Sequence, residues 1–450
     1  MTDCTTQPML FSSLPRKKFL ADFHGGDLTS DGGLTLLREV DCKIGLIDAL
    51  DAAINDPRCP WLIEHDQRTL LAQRVFAIAA GYEDLNDHQT LRDDTLFQAL
   101  TDRPAQKQFD PLCSPPTLCR LENRIRRGDL VRMAEALVEA FIASHDSAPE
   151  ELVLDFDATD DTIHGLQEGR FFHGYYDHYC FLPLYVTCGS QLLVAYLRPA
   201  KIDAAKHSRA ILKLLVQRFR KVWPNVKIVF RGDSGFCRWR MMRWCDRHNV
   251  DYILGLAKNA RLKRLARRTM IQSRWNYRRT GQKQRLFEEF EYAAGTWGQP
   301  RRVIAKAEYS DHGENPRFIV TSLPGDPQRL YDDLYCQRGD MENRIKEQQL
   351  GLFADRTSCH AFQANQFRVL LSAAAYVLVE TLRRVGLAGT ELAAAQTTTI
   401  RLKLLKIGGR IVRSARRLVI HLAGGYPWQK RFATILQQLQ TWRTLPLPSP

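Results

Sequence analysis

The fold is decided by the stretch ELVLDFDA at residues 151–158, a short apolar run that ends in acidic residues. Its aliphatic and aromatic residues predict a buried strand. Because side chains alternate along a strand, Asp155 and Asp157 lie on one face while Leu154 and Phe156 take the other. Carboxylates are normally excluded from such positions unless a cation or hydrogen-bond donors accompany them. The stretch therefore predicts a core strand that presents a metal ligand, with Asp157 preferred and Asp155 as the alternative.

A second carboxylate follows another short apolar run, VKIVFRG at residues 226–232. Asp233 comes directly after this run and precedes Ser-Gly, a position where a parallel strand delivers a functional group to the edge of a sheet. The tripeptide Asp-Ser-Gly is also common in turns, so Asp233 indicates a metal site only in combination with the other two acids. It is the predicted second metal ligand.

The third acid lies in YCQRGDMEN at residues 335–343. Tyr335, Arg338 and Glu342 are spaced so that one face of a helix carries all three. Either Arg338 and Glu342 form an ordinary intrahelical ion pair, or Glu342 binds a metal while Arg338 contacts a phosphate. Tyr335 would then donate a hydrogen bond. Three such carboxylates can hold two Mg²⁺ ions and support in-line displacement at phosphorus.

Strands and helices alternate from residue 151 onward. The predicted elements are ELVLDFDA, the hairpin PLYVTC and QLLVAYLRP, a helix over 203–222, the strand VKIVFRG, a helix near RWRMMRWCDRHN and the strand DYILGLA. This order predicts an α/β fold with a ribonuclease-H-like mixed-sheet catalytic core, its first part at 149–260 and its second at 326–390. Between them, 261–325 is predicted as a β-rich insertion, in which RLKRLARR and RWNYRR are basic spacers between strands.

Residues 1–148 are predicted to form a helical N-terminal domain, since their apolar residues recur at three-to-four spacing. One segment of it, TLCRLENRIRRGD, carries Arg120, Arg124, Arg126 and Arg127 on about two predicted helical turns. These arginines either lie along a DNA backbone or belong to a salt-bridged surface helix. The N-terminal domain is accordingly a candidate for DNA-end binding.

The charged residues are distributed unevenly along the 450-residue chain. The chain carries +14 in total, of which residues 1–150 contribute −8 and residues 151–450 contribute +22. The basic C-terminal region, 391–450, has ten Lys and Arg and no acidic residue after Glu391. A charge run of this kind is either a solvated helix face or the contact surface for a polyphosphate, and the absence of any anion favours nucleic acid.

Several classes of protein are disfavoured by what the sequence lacks. The 11 cysteines include no C-x-x-C pair, which argues against a zinc ribbon and a disulfide framework. No run of 18 apolar residues predicts a membrane span, and the first residues lack the order of a signal peptide. We therefore expect a cytoplasmic protein without a membrane partner.

The chain resembles the DDE transposases of bacterial insertion sequences, in the group with a Tyr-x2-Arg-x3-Glu-x6-Lys signature and a β-strand insertion before the glutamate. Within that group it is most similar to the insertion-sequence family numbered 1380. The matching segments are TSDGGLTLLRE, PPTLCRLENR, LDFDATDDTIHG, GRFFHGYYDHYCFLPLYV, VFRGDSGF and YCQRGDMEN, spread over about residues 20–385. The resemblance makes Asp157, Asp233 and Glu342 the catalytic triad, with Tyr335 and Arg338 completing the signature.

The resemblance implies an enzyme that pairs the terminal inverted repeats of its own element, cuts them and joins them to target DNA, in a cut-and-paste reaction at the bacterial nucleoid. It implies two Mg²⁺ ions, for which Mn²⁺ substitutes, and a homodimer that brings two ends together. One position departs from the signature: seven residues after Glu342 stands Gln349 instead of Lys. Lys346, one turn earlier, is the predicted replacement as a phosphate contact.

Some relatives form a DNA hairpin and stack a flipped base on an aromatic residue of the insertion. Trp275 and Trp297 are the candidates here, and each is otherwise a packing residue. Two other functions stay open: a catalytically silent protein that binds the inverted repeats as a regulator, and a general metal-dependent nuclease. The presence of all three acids disfavours the first, and the separate N-terminal domain disfavours the second.

Overall fold

A mixed sheet organises the protein, in a computed structural model that describes residues 8–102 and 111–443. The strands are β1 (Met9–Leu14), β2 (Lys17–Ala21), β3 (Leu28–Thr29), β4 (Glu151–Ala158), β5 (Asp161–Thr162), β6 (Phe171–His173), β7 (His178–Phe181), β8 (Leu184–Cys188), β9 (Gln191–Tyr196), β10 (Lys227–Gly232), β11 (Asp251–Leu256), β12 (Gln284–Tyr292), β13 (Arg301–Ser310), β14 (Gly313–Glu314), β15 (Arg317–Thr321), β16 (Gly409–Arg413) and β17 (Leu418–Leu422).

The α-helices surround this sheet and build the N-terminal part. They are α1 (Leu34–Ile44), α2 (Leu46–Ala53), α3 (Gln67–Ala80), α4 (His88–Leu91), α5 (Thr95–Leu100), α6 (Pro115–Arg124), α7 (Arg127–Ala143), α8 (Ser208–Val222), α9 (Trp239–Arg247), α10 (Ala260–Leu265), α11 (Arg267–Thr280), α12 (Pro327–Arg329), α13 (Gly339–Lys346), α14 (Phe362–Thr381), α15 (Thr397–Ile400) and α16 (Gln429–Thr441). None of them, in the described ranges, is long and apolar enough to cross a membrane.

Five strands reproduce the ribonuclease-H-like order. Across the sheet they run β9-β8-β4-β10-β11, with β4, β10 and β11 parallel to one another and β8 antiparallel to both of its neighbours. The predicted hairpin is β8–β9, and the two predicted acid-bearing strands, β4 and β10, lie side by side at the centre. The predicted fold class is therefore confirmed.

The insertion extends this sheet instead of forming a separate one. Strand β15 pairs antiparallel with β11, and β13 and β12 continue outward from β15. The basic segments lie between strands β11 and β12, where they form helices α10 and α11, which the sequence did not predict. Leu262, Ala266, Met270 and Ser273 recur at three-to-four spacing and are buried, so a helix is the structure that hides them from water.

Residues near both ends of the chain share one core with helix α14. Helix α14 packs against α3 and α7, and α16 packs against α1. Strand β16 pairs with β3, which brings the basic C-terminal region onto the N-terminal helices. The domain boundaries at 148, 260, 325 and 390 stay predictions.

The segment that carries the third acid is one long irregular helix beside the sheet. Helix α12 runs into a π-helical turn (Leu330–Tyr335) and a 3₁₀ turn (Cys336–Arg338), then α13 and a second π-helical turn (Glu347–Gly351). Short π-helical turns inside helices occur often at functional sites. Leu334 and Tyr335 pack on the sheet face that carries Val153, Val229 and Ile253.

Candidate active site

Asp157 and Asp233 are neighbours at the carboxyl edge of the two central strands. In the parallel pair β4 and β10, Phe156 is opposite Gly232, and an aspartate follows each of these two residues in the chain. Adjacent strands are about 4.8 Å apart, which sets the spacing of the two acids. Asp233 is half-buried, and its Oδ1 accepts a hydrogen bond from the backbone N–H of Gly235 at 2.8 Å. The turn that follows β10 thus fixes this carboxylate.

Arg338 forms ion pairs with both Asp157 and Glu342. Its Nη1 donates to Oδ2 of Asp157 at 3.0 Å, and its Nη2 donates to Oε1 of Glu342, also at 3.0 Å. The intrahelical ion pair between Arg338 and Glu342, one of the two alternatives from the sequence, is therefore present. The same guanidinium also binds Asp157 at the end of the central sheet. Glu342 remains accessible, since its side chain is 51% exposed, compared with 14% for Asp157.

Asp157 is a largely buried carboxylate whose pKa is raised, so a nearby positive charge stabilises its ionised form. Burial raises its pKa to about 6; Arg338 opposes this rise, while the charges of Asp233 and Glu342 add to it. Burial lowers the pKa of Arg338, but Asp157, Tyr335, Asp233 and Glu342 outweigh burial and raise it. The guanidinium is therefore charged and partly neutralises the three acids.

Tyr335 lies in a tight gap beside Asp233. Burial raises the pKa of its hydroxyl, which stays a neutral hydrogen-bond donor near neutral pH. A Cβ placed on Gly255 of β11 would lie 2.6 Å from Oη of Tyr335 and 2.9 Å from the backbone N of Ser234. Only glycine fits there. Sequence reasoning missed Gly255, although a glycine inside an apolar strand is a signal of close approach.

Asp155 has a different partner from Asp157. Its carboxylate accepts hydrogen bonds from both Nε and Nη2 of Arg231, and both side chains are almost fully buried. Arg231 also donates through Nη1 to the backbone O of Leu334, at 2.5 Å. Asp155 therefore ties β4 to β10 and to the irregular helix, and Asp157 is the aspartate of this strand that faces the other acids.

Gln349, the departure from the signature, tethers the helix to the loop after β4. Its Nε2 donates to the backbone O of Asp160 at 2.8 Å. Lys346 is exposed one helical turn beyond Glu342 and has no ion pair within the part of the chain that the structure describes. The cation nearest to the expected signature lysine is therefore free to meet a ligand.

The arginines predicted for DNA-end binding do not share one helix. Helix α6 ends at Arg124 and α7 begins at Arg127, because Ile125 and Arg126 are extended. Arg124 is engaged within the protein, with Gln67 Oε1 at 2.8 Å and Asp56 Oδ1 at 3.3 Å. Arg120 is exposed and bonds to the backbone O of Pro116 at 3.1 Å, and Arg127 is exposed.

The two candidate tryptophans have different surroundings. Trp297 packs edge-on against Tyr292, with ring centroids 5.5 Å apart, and joins the core on one face of the sheet. Trp275 projects from α11 and is 54% exposed, and the guanidinium of Arg279 lies over its ring. Trp275 alone of the pair offers an open aromatic face.

The acids provide the hard oxygen ligands that Mg²⁺ and Mn²⁺ prefer. Within residues 8–102 and 111–443, no three His, Cys, Asp or Glu side chains stand close enough to hold a metal ion. Arg338 stands between Asp157 and Glu342 and separates them. The residues nevertheless fit a divalent cation, because buried Asp157 is repelled by two other acids and is stabilised by positive charge.

Among solved structures, the chain is similar to a piggyBac transposase whose cryo-EM structure shows a synaptic complex with hairpin DNA. The two share 10% sequence identity at a TM-score of 0.44, over 93% of this chain and 83% of the other. Because the identity and the TM-score are both low, the ribonuclease-H-like fold is assigned from the strand order β9-β8-β4-β10-β11. No curated protein sequence matches the chain. The family model described as Transposase DDE domain group 1 matches residues 11–444, and the chain therefore belongs to this family.

Proposed function

We propose that this protein is a transposase that cleaves the ends of its own DNA element and joins them to target DNA, with Asp157, Asp233 and Glu342 as its catalytic acids. One observation carries the proposal: two aspartates stand side by side at the end of the central strands, and a single guanidinium links the first of them to Glu342. This brings three carboxylates from distant parts of the sequence to one edge of the sheet.

In the proposed reaction, the three acids hold divalent cations, with two Mg²⁺ ions as the expected set and Mn²⁺ as a substitute. When bound, such cations activate the attacking oxygen and stabilise the leaving oxygen of an in-line displacement at phosphorus. Attack by water through this site would cut the DNA, and attack by the resulting 3′-hydroxyl would join it to a target.

The side chains around the acids position the substrate. Arg338, once displaced from Asp157, has a planar fork of donors that suits two oxygens of one phosphate. The neutral hydroxyl of Tyr335 supplies a further donor beside Asp233. Gln349 holds the loop that leaves the strand of Asp157, and exposed Lys346 contributes a point charge for the DNA backbone.

We further propose that the substrates are the terminal inverted repeats of an insertion sequence of the family numbered 1380. The route is cut-and-paste, and a homodimer synapses the two ends. The N-terminal arginines Arg120 and Arg127 are exposed and available for end recognition. Arg124, which is already paired with Asp56, contributes to the fold of that region instead.

The decisive experiment incubates the full chain with Mg²⁺ and a labelled element end. Wild type is expected to cut the DNA, and Asp157→Asn and Glu342→Gln are expected to bind it without cutting. Asp340→Asn is the matched control, since Asp340 is an exposed acid on the same helix as Glu342. Intact DNA with wild type, or normal cutting by the two variants, would refute the proposal.

The same experiment separates the two other functions. Binding of the element end by wild type without any cutting would identify a silent regulator. Equal cutting of the element end and of unrelated duplex DNA would identify a general nuclease.

A further inference from the structure

The strongest concentration of positive charge in the protein lies in the first part of the insertion. Residues 252–287 contain 11 Lys and Arg and no Asp or Glu. This segment covers all of β11 except Asp251, helices α10 and α11 and the start of β12. All 11 of these cationic residues are exposed.

Helix α11 turns one face to the sheet and the other to solvent. Met270 and Ser273 are buried, Ser273 Oγ donates to the backbone O of Gln284 at 3.4 Å, and the ring of Tyr277 lies 5.1 Å from that of Tyr309. These contacts fix the helix on β12 and β13. The opposite face is left to the arginines, with exposed Trp275 among them.

Most of these cations have no acidic partner. Within the described residues no ion pair involves Lys263, Arg264, Arg267, Arg268, Arg274 or Arg278. Arg274 and Arg278 stand at i and i+4 of one helix, an arrangement of like charges that costs a few tenths of a kcal/mol. A set of unpaired, mutually repelling cations is stabilised when it meets an extended anion.

Some cations of the C-terminal region are engaged within the protein. Lys406 is paired with Asp31 at 2.6 Å, Arg413 with Asp27 at 3.1 Å, and Arg401 donates to the backbone O of Ala79 at 2.8 Å. These side chains attach the C-terminal region to helix α3 and to the residues on either side of β3. Within the described residues, ion pairs take up three of the ten C-terminal cations and two of the 11 cations of residues 252–287.

The topology places the start of this surface at the same edge of the sheet as the active site. Strand β11 runs parallel to β10, so both end at the edge of the sheet that carries Asp157 and Asp233. Helix α10 begins at Ala260, four residues after β11 ends at Leu256. Helix α10 therefore begins near the edge of the sheet at which the catalytic acids lie, and α11 continues the surface over β12 and β13.

We propose that helices α10 and α11 form a docking surface for the phosphate backbone of duplex DNA, one that binds without regard to base sequence; the role of this DNA as substrate rests on the function proposed above. Helix α11 has 14 residues and so spans about 21 Å. Duplex DNA carries about one charge per 1.7 Å with both strands counted, so this length of duplex contains on the order of 12 phosphates, of which one side faces the helix.

The test measures binding of the full chain to a random-sequence duplex in EDTA, over a range of salt concentrations. The variant combines Arg267→Gln, Arg268→Gln, Arg274→Gln and Arg278→Gln, all at exposed positions. The matched control removes the same charge from the C-terminal region, by Arg410→Gln, Arg416→Gln, Arg417→Gln and Lys430→Gln. Thermal unfolding of each variant verifies that the fold is kept.

The helix variant is expected to bind on the order of 100-fold more weakly at 0.1 M salt, with a salt slope smaller by about 3. The control variant is expected to change much less. An unchanged slope in the helix variant, or an equal loss in the control, would overturn the proposal. So would a helix variant that loses binding to phosphatidylserine vesicles and keeps binding to duplex DNA.

Because the binding is measured in EDTA, its outcome is independent of cleavage. If wild type cuts element ends and the helix variant binds DNA normally, the proposed function stands and this surface is wrong. If wild type binds through α10 and α11 and never cuts, the surface stands and the proposed function is wrong.

Discussion

The guanidinium of Arg338 lies 3.0 Å from the carboxylate of Asp157, although 181 residues separate the two in sequence. The second nitrogen of the same guanidinium is bonded to Glu342. Arg338 thus supplies positive charge between two of the three candidate metal ligands. Any cation that binds both carboxylates competes with this arginine, and Arg338 becomes available to a phosphate when it is displaced.

The competition predicts that Arg338→Gln binds divalent cations more tightly than wild type in the absence of DNA. We expect an increase on the order of tenfold in Mn²⁺ affinity, equivalent to about 1.4 kcal/mol, by titration calorimetry. Lys346→Gln is the control, because it removes an exposed charge from the same helix without touching Asp157. Equal Mn²⁺ affinity in wild type and Arg338→Gln would show that the arginine does not compete.

A second prediction concerns Asp155, whose substitution is expected to destabilise the fold. Asp155→Asn leaves the buried guanidinium of Arg231 without its counter-charge, a change that costs about 3 kcal/mol or more. The free energy of unfolding from urea titration is the measurement. Asp340→Asn, on an exposed acid, is expected to stay within about 0.5 kcal/mol of wild type. A stable Asp155→Asn variant would contradict the role assigned to this ion pair.

Asp157→Asn is expected to have the opposite effect, and one that depends on pH. The pKa of Asp157 is raised from 3.8 to about 6 in the folded protein. Between these values the folded chain holds a proton that the unfolded chain has lost, so this group lowers the free energy of unfolding as pH rises. Asparagine removes that penalty.

The measurement is urea unfolding in EDTA at several pH values. The variant and wild type are expected to be equally stable near pH 4 and to diverge as pH rises to 6. Above pH 7 the variant is expected to be more stable by at most about 3 kcal/mol, the equivalent of the shift in pKa. A difference that is the same at every pH would argue against titration of Asp157 as its cause.

The sequence predicts the parts of the site that depend on local pattern. Strands β4 and β10 and the helix of Glu342 are visible as short apolar runs and as three-to-four spacing. The sequence favours Asp157 over Asp155 but does not show how the two differ, because they share a face of one strand and are distinguished by their partners. Arg231 comes from a neighbouring strand and Arg338 from a helix far along the chain.

The insertion shows a second limit of sequence interpretation. Its basic segments are predicted only as spacers between strands, yet four small or apolar residues at helical spacing fix α10 and α11 on the sheet. Which cations of the chain are free is likewise decided by tertiary contacts. Arg401 and Arg274 look alike in sequence, but only Arg401 is bound to backbone oxygens.

Gly255→Ala is predicted to impair the site through its shape. The added methyl group would lie 2.6 Å from Oη of Tyr335 and 2.9 Å from the backbone N of Ser234, so the tyrosine or the turn of Asp233 must move. Overpacking of this kind costs about 1–3 kcal/mol of stability, and we expect DNA cutting to fall at least tenfold. Gly295→Ala, which meets nothing within 4 Å, is the control. Normal cutting by Gly255→Ala would show that this gap is not needed.

The last prediction separates Lys346 from Gln349 as phosphate contacts. Lys346 is exposed and unpaired within the described residues, whereas Gln349 is bonded at 2.8 Å to the backbone of Asp160. Lys346→Gln is therefore expected to reduce the salt slope of element-end binding by about 1, as the loss of one phosphate contact does. Gln349→Ala is expected to leave that slope unchanged and to slow cutting, because the loop after Asp157 loses its tether. If Gln349→Ala lowers the slope and Lys346→Gln does not, the two roles are reversed.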